Sequence, residues 1–234
     1  MSTIPYRSAL IIGAGPGLGA SLARAFTRDG GLQVVVAARQ LRKLEAISRE
    51  TGAAAFSCDA TSAASVATVF DHASQRLGGP PDVVVYNASR SVRGPFVDID
   101  AAALAQAIEV TALGAFHVAQ QAARCMLPRG QGAILFTGAS ASVKGYPQSA
   151  AFAMGKFALR GMAQSLAREL APRGIHVGHV IVDGKIRPPG CGDETAGDQQ
   201  LDPDAIASTY LHLLAQPRNA WTWEIEVRPW VERF

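Results

Sequence analysis

Cysteine is scarce in this chain of 234 residues: Cys58, Cys125 and Cys191 are all there is. They lie far from one another, are odd in number and have no zinc-like spacing, so reduced thiols in a cytoplasmic setting are expected. Charge is thin as well: 18% of residues are charged and the formal net charge is +3. So small an excess, spread along the chain, argues against nucleic acid as a partner. The one local basic group is Arg39, Arg42 and Lys43. The five histidines lack metal-ligand spacing, so no metal site is expected. No carboxylate pair is set for glycosidase chemistry, and Gly138-Ala139-Ser140-Ala141-Ser142 lacks the closing glycine of a nucleophile elbow. The N-terminus carries no basic region followed by an apolar run and a cleavage site. The uncharged stretch between Arg7 and Arg24 holds four glycines and a proline, which excludes it as a membrane span. The expectation is a cytoplasmic protein without a membrane partner.

What is present is apolar material, 48% of the chain, enough for a sizeable core. Short β-rich runs alternate with segments of helical period. Strands are predicted over 8–12, 33–38, 53–58, 82–86, 133–137, 176–182 and 221–227. Helices are predicted over 17–28, 41–50, 62–77, 101–126 and 149–170, and a last one opens with Asp202 as N-cap and Pro203 at its first position. Uninterrupted apolar strands in such alternation predict a Rossmann-type, doubly wound parallel α/β sheet of about seven strands, with helices on both faces. Residues 1–234 read as a single dinucleotide-binding domain. Residues 186–200, rich in Gly, Pro, Asp and Gln, read as a variable substrate loop or lid, with Arg187, Cys191 and Asp193 as its pointed side chains.

Gly13-Ala14-Gly15-Pro16-Gly17-Leu18-Gly19 falls between the first strand and the first helix. In that context glycines allow a tight turn and close approach to a pyrophosphate, which the helix N-terminus then faces with free N–H groups. The second strand ends Ala37-Ala38-Arg39. An NAD binder places an acid near here for the ribose 2′-hydroxyl; Arg39 instead offers a fork to a 2′-phosphate, so NADP(H) is favoured over NAD(H).

These residues and several further motifs resemble the short-chain dehydrogenase/reductase family over nearly the whole chain. The family's spaced glycines match Gly13, Gly17 and Gly19. Its acid after the third strand, which reads the adenine, matches Asp59, next to Ala60. Its Asn-Ala-Gly turn after the fourth strand matches Asn87-Ala88, with Ser89 in place of glycine. The resemblance implies a cofactor site made of Gly13, Gly15, Gly17, Leu18, Gly19, Ala38, Arg39, Asp59, Ala60, Asn87, Ala88, Ser89, Lys156 and Ile186. It also implies a homodimer or homotetramer.

The family's catalytic positions carry over unevenly. Its Tyr, separated by three residues from a Lys, falls on Phe152, while the Lys is kept as Lys156. Its Ser falls on Ala139, its helix Asn on Thr111, and its Pro-Gly after the sixth strand on Val182-Asp183-Gly184. Phe152 cannot move a proton, a loss that typically costs about 10²–10⁴ in rate. By the resemblance Lys156 would bond the nicotinamide ribose, a role that needs no Tyr. Tyr146 and Ser140, in the loop that borders substrate in the family, are the candidates to supply a proton or orient substrate; both merely lining that loop is the other reading. Tyr86 lies close by. Two functions stand side by side: an NADP(H)-dependent oxidoreductase with an atypical site, acting on an activated C=C or C=O, and a non-catalytic NADP(H)-binding sensor or partner subunit.

Overall fold

A computed structural model describes residues 4–191 and 197–232. Its strands are β1 (Ser8–Ile12), β2 (Gln33–Ala38), β3 (Ala54–Ser57), β4 (Val83–Tyr86), β5 (Gly132–Thr137), β6 (Ile175–Val182) and β7 (Glu224–Val227). All pair in parallel, in the order β3-β2-β1-β4-β5-β6-β7, so the chain reverses direction of growth between β1 and β4. That switch point opens a crevice at the strand carboxyl ends. The doubly wound, seven-stranded sheet read from the sequence is the observed one.

The strands form because their side chains are apolar on both faces: β1, β4, β5 and β6 are buried at every position. Successive residues point to opposite layers, Ala9 and Ile11 to one and Leu10 and Ile12 to the other. Each fully buried Val, Ile or Leu contributes roughly 1.5–3 kcal/mol of transfer free energy. The helices are α1 (Leu18–Arg28), α2 (Glu45–Thr51), α3 (Ala63–Leu77), α4 (Ala101–Ile108), α5 (Gly114–Met126), α6 (Ala150–Leu170) and α7 (Pro203–Leu214). One layer holds α1 and α7, which pack on each other; the opposite layer holds α3, α5 and α6. Asp202 caps α7, accepting from the Asp204 N–H at 3.0 Å, with Pro203 at its first position.

The structure corrects several predicted boundaries. The helix expected over 41–50 starts as a 3₁₀ turn, Leu41–Leu44, before α2. The helix expected over 101–126 is divided by a π-helical turn, Glu109–Leu113, at which Thr111 is fully buried. A sequence periodicity of 3.6 does not reveal one widened turn. The last strand begins at Glu224, because Thr222 turns back to bond Gln216 and Trp221 stacks on His176. Residues 186–200 are drawn together at their base: the Arg187 N–H donates to the Leu201 carbonyl at 2.8 Å, and the Leu201 N–H to that of Lys185 at 2.9 Å. Asp193 lies outside the described residues. By length and composition Ala101–Arg129 is apolar enough to cross a membrane. In this fold its Val118, Ala119 and Ala122 are buried in the layer that covers the sheet.

Candidate functional site

The glycine turn is shaped by its neighbours. Gly13 has φ +83°, and a Cβ there would fall 2.4 Å from the Ala88 nitrogen. A Cβ on Gly19 would fall 2.7 Å from the Ala14 Cα. These two glycines are demanded by the protein's own backbone. Gly15 and Gly17 have nothing within 4 Å of a Cβ position, so they leave an open shelf. Gly17 caps α1 without any side-chain hydrogen bond, and no acid stands in the first turn. The positive end of α1 is therefore open toward that shelf. Leu18 is buried at the start of the helix.

A cavity of about 320 Å³ extends from this turn across the switch point. Gly13 and Gly15 form one side of it; Ala38 and Arg39 come from the end of β2, and Asp59 and Ala60 follow β3. Asn87, Ala88 and Ser89 follow β4, and Lys43 lies at the edge. Asn87 ties β4 to the turn, its side-chain amide donating to the Gly13 carbonyl at 3.1 Å. Asp59 accepts from the Thr61 hydroxyl at 2.8 Å and N–H at 3.0 Å; these bonds, with the more distant Arg39 charge, hold its carboxyl below the usual range. Arg39 is exposed. Gly17, Leu18, Gly19, Lys156 and Ile186 do not line this cavity.

The second group of predicted residues lies along α6. Lys156 is 3% exposed and donates to the Thr137 carbonyl at 2.7 Å. Burial pushes its ammonium down to about 8. Lys156 is therefore not a solvated rim lysine. Its Nζ sits 5.9 Å from the centre of the Phe152 ring. Gly155 lets α6 approach the π turn, since a Cβ there would fall 3.0 Å from Thr111 Cβ. Thr111 Oγ1 accepts from the Arg90 N–H at 3.2 Å. Tyr86 is withdrawn from any acid role: it is fully buried, its hydroxyl donates to the Val110 carbonyl, and burial raises its pKa.

Ser140 and Ser142 form a short 3₁₀ turn after β5. Ser142 is committed, accepting from the Ala139 N–H at 3.1 Å. The Ser140 hydroxyl has no hydrogen-bonding partner among the described residues, while Tyr146 is 46% exposed. Sequence reasoning missed what anchors this loop. Asp183, buried at the end of β6, accepts from Lys144 Nζ at 2.7 Å and lies 3.7 Å from Arg228. It also missed a chain of polar groups under α6, in which Arg160 grips Glu224 through two bonds of 2.7 Å and Glu224 meets His179 at 3.0 Å. A histidine inside the apolar run of β6 was the available signal. Among the described residues no group of three or more His, Cys, Asp or Glu is placed to hold a metal ion.

The sequence pattern of the short chain dehydrogenase family matches residues 7–189. The cyclic-di-GMP-binding biofilm dispersal mediator protein of Escherichia coli (strain K12) is 33% identical over 190 residues, covering 80% of this chain and 76% of that protein. The crystal structure of a short-chain dehydrogenase from Rhodopseudomonas palustris has a TM-score of 0.81 and 33% identity, covering 96% of this chain and all of that one, 100%. An alcohol dehydrogenase from the archaeon Thermococcus sibiricus, complexed with 5-hydroxy-NADP, has a TM-score of 0.85 and 26% identity, covering 97% of this chain and 98% of that one.

Proposed function

This chain belongs to the short-chain dehydrogenase family and is an oxidoreductase of that type, and from that premise we propose that it binds NADP(H) and reduces an activated C=C or C=O at an atypical site. The observation that carries the cofactor half is the pairing of an open glycine shelf with Arg39 at the rim of one continuous cavity. The residues fit the group. Gly15 and Gly17 admit a pyrophosphate against the uncapped end of α1, Arg39 and Lys43 bring charge to a 2′-phosphate, and Asp59 stands where an adenine would be read. The relative crystallised with an NADP derivative supports this choice. When bound, the cofactor supplies the hydride.

In this reading Lys156 binds the ribose next to the nicotinamide, and Ile186 borders the ring. Phe152 and Ala139 stand at the positions matching the family's Tyr and Ser, and neither has an exchangeable proton. The phenyl ring beside Lys156 excludes water, and the free Ser140 hydroxyl is the proton-bearing group offered to substrate, with Tyr146 second. An activated acceptor suits such a site, because it places less demand on a strong acid. The exposed apolar side chains Leu113 and Phe116 on or next to α5, and Met154 and Phe157 on α6, support a homodimer or homotetramer. We assign the chain to the cytoplasm as a single domain.

The experiment is titration with NADPH and NADH, followed by NADPH oxidation with a panel of enones and activated carbonyls. Tight NADPH binding with turnover supports the reading; failure to bind either nucleotide overturns it. A second reading, a non-catalytic NADP(H) sensor or partner subunit, is favoured by one observation: Lys156 spends a hydrogen bond on a backbone carbonyl beside a residue that cannot donate a proton. Binding without turnover across the panel selects it.

A further inference from the structure

β6 is buried throughout, yet it contains two histidines, three residues apart and on opposite faces. His176 stacks on Trp221 and its Nε2 meets the Thr222 carbonyl, which leaves its Nδ1 without a partner among the described residues. His179 faces the other layer. It is paired in register with Phe136 of β5, so its ring lies in the layer beneath α6. It is fully buried, and its Nε2 has no hydrogen-bonding partner among the described residues.

The tautomer follows from the neighbours. Burial favours a neutral Glu224, but Arg160, bonded to both its oxygens, and His179 overcome that and hold the carboxyl below its usual range. A carboxylate only accepts hydrogen bonds, so Nδ1 of His179 carries the proton and Nε2 carries a bare lone pair. That nitrogen lies against Gly138, where a Cβ would fall 2.4 Å from it. The Gly138 N–H is already spent on the Val180 carbonyl at 2.7 Å. The carbonyl of the same Thr137–Gly138 peptide accepts from Lys156. Lys156 and His179 therefore flank one peptide group, and Arg160 stands one helical turn beyond Lys156.

We propose that His179 is a positioning residue for Lys156: its bare Nε2, aligned by the Glu224–Arg160 pair, supports the buried ammonium across the Thr137–Gly138 peptide. Lys156 has no carboxylate hydrogen bond among the described residues; His179 on β6 is the titratable group coupled to it, and His179 in turn faces Glu224 on β7 and Arg160 on α6. A desolvated ammonium with three donors and one carbonyl acceptor gains from a further negative dipole end. The imidazole stays neutral, because burial first, and then Lys156 and Arg160, hold it below its usual range against the pull of Glu224. The role matters to function through the reading that Lys156 holds the cofactor ribose.

The test is the protonation midpoint of the Lys156 Nζ, followed by NMR in the full chain labelled with ¹⁵N-lysine and assigned with Lys156→Met. The parent midpoint is about 8. His179→Asn keeps a donor for Glu224 but offers no acceptor toward Lys156, and it lowers the midpoint by about one pH unit, tenfold in proton affinity. His179→Gln carries an oxygen to the Nε2 position and restores more than half of that shift. A parental midpoint in folded His179→Asn overturns the proposal. If the Asn variant lacks a cooperative melt, His179→Met, which keeps the Glu224–Arg160 charges and offers no nitrogen or oxygen acceptor, decides: a lowered midpoint supports the role and an unchanged one overturns it. Parental NADPH affinity in Lys156→Met overturns the cofactor-holding role alone and leaves the midpoint result standing.

Discussion

The glycine turn and the Lys156 end both stand at the carboxyl ends of the strands but are made differently. At the first, backbone does the work: Gly13 and Gly19 are shaped by contact with Ala88 and Ala14, and the shelf between them is open. At the second, charged side chains do it, buried at Lys156 and half-buried at Arg160 and Lys144: Lys156 on the Thr137 carbonyl, Arg160 on Glu224, Lys144 on Asp183. A backbone site tolerates exchange of its surroundings provided the turn survives. A side-chain site is redefined by one substitution, and under the proposed function Phe152 beside Lys156 is such a case. One end can therefore keep a family's binding geometry while the other changes its chemistry.

The largest test of that contrast is to supply the missing protons. Phe152→Tyr combined with Ala139→Ser is expected to raise NADPH-dependent carbonyl reduction by about 10²–10⁴-fold. A flat rate, measured at saturating NADPH, would break the contrast. Next comes Gly13→Ala, which forces a positive φ and a backbone clash and should cost about 2–4 kcal/mol in urea unfolding. Gly15→Ala should stay within about 0.5 kcal/mol of the parent in the same experiment and yet weaken NADPH binding.

Lys156 gives the third test, through pH. Its folded pKa of about 8 lies below the ordinary 10.5. The unfolded chain thus holds the extra proton between those values, so the parent gains stability as pH rises from about 8 to about 10.5. Lys156→Met should lack that slope and be more stable than the parent at pH 7, by something on the order of 2–3 kcal/mol, while binding NADPH less well. Parallel pH profiles for the two proteins would count against a desolvated ammonium. The smallest effect is at the rim. Arg39→Ala should weaken NADPH by about tenfold and leave NADH unchanged, since a solvent-exposed guanidinium–phosphate pair is screened.

Legibility in the sequence followed the same division. The seven strands, the α7 cap at Asp202 and the cavity residues from Gly13 to Ser89 could be read because local patterns encode them: apolar runs, N-cap chemistry and glycines between a strand and a helix. The burial of Lys156 could not, since it depends on how α6 seats over β5. Nor could the Glu224–His179 contact, which exists only because β7 pairs with β6 and joins residues 45 positions apart in sequence. Trp221 was assigned to a strand on alternation, but its stack on His176 draws it out of the ladder. Sequence pattern reports neighbours along the chain, and these contacts are between neighbours in space.

The two hydrogen bonds that join Arg187 and Lys185 to Leu201 have a consequence for how the protein can diverge. They bring the exit from β6 to the entry of α7, so the segment between begins and ends at one place in the fold. Doubling the length of such a segment costs only about 0.6 kcal/mol in closure entropy. Descendants or designs can therefore swap that insert wholesale, long for short or polar for greasy, without disturbing the strand and helix at its roots. The segment becomes a replaceable part, inherited separately from the fold that carries it.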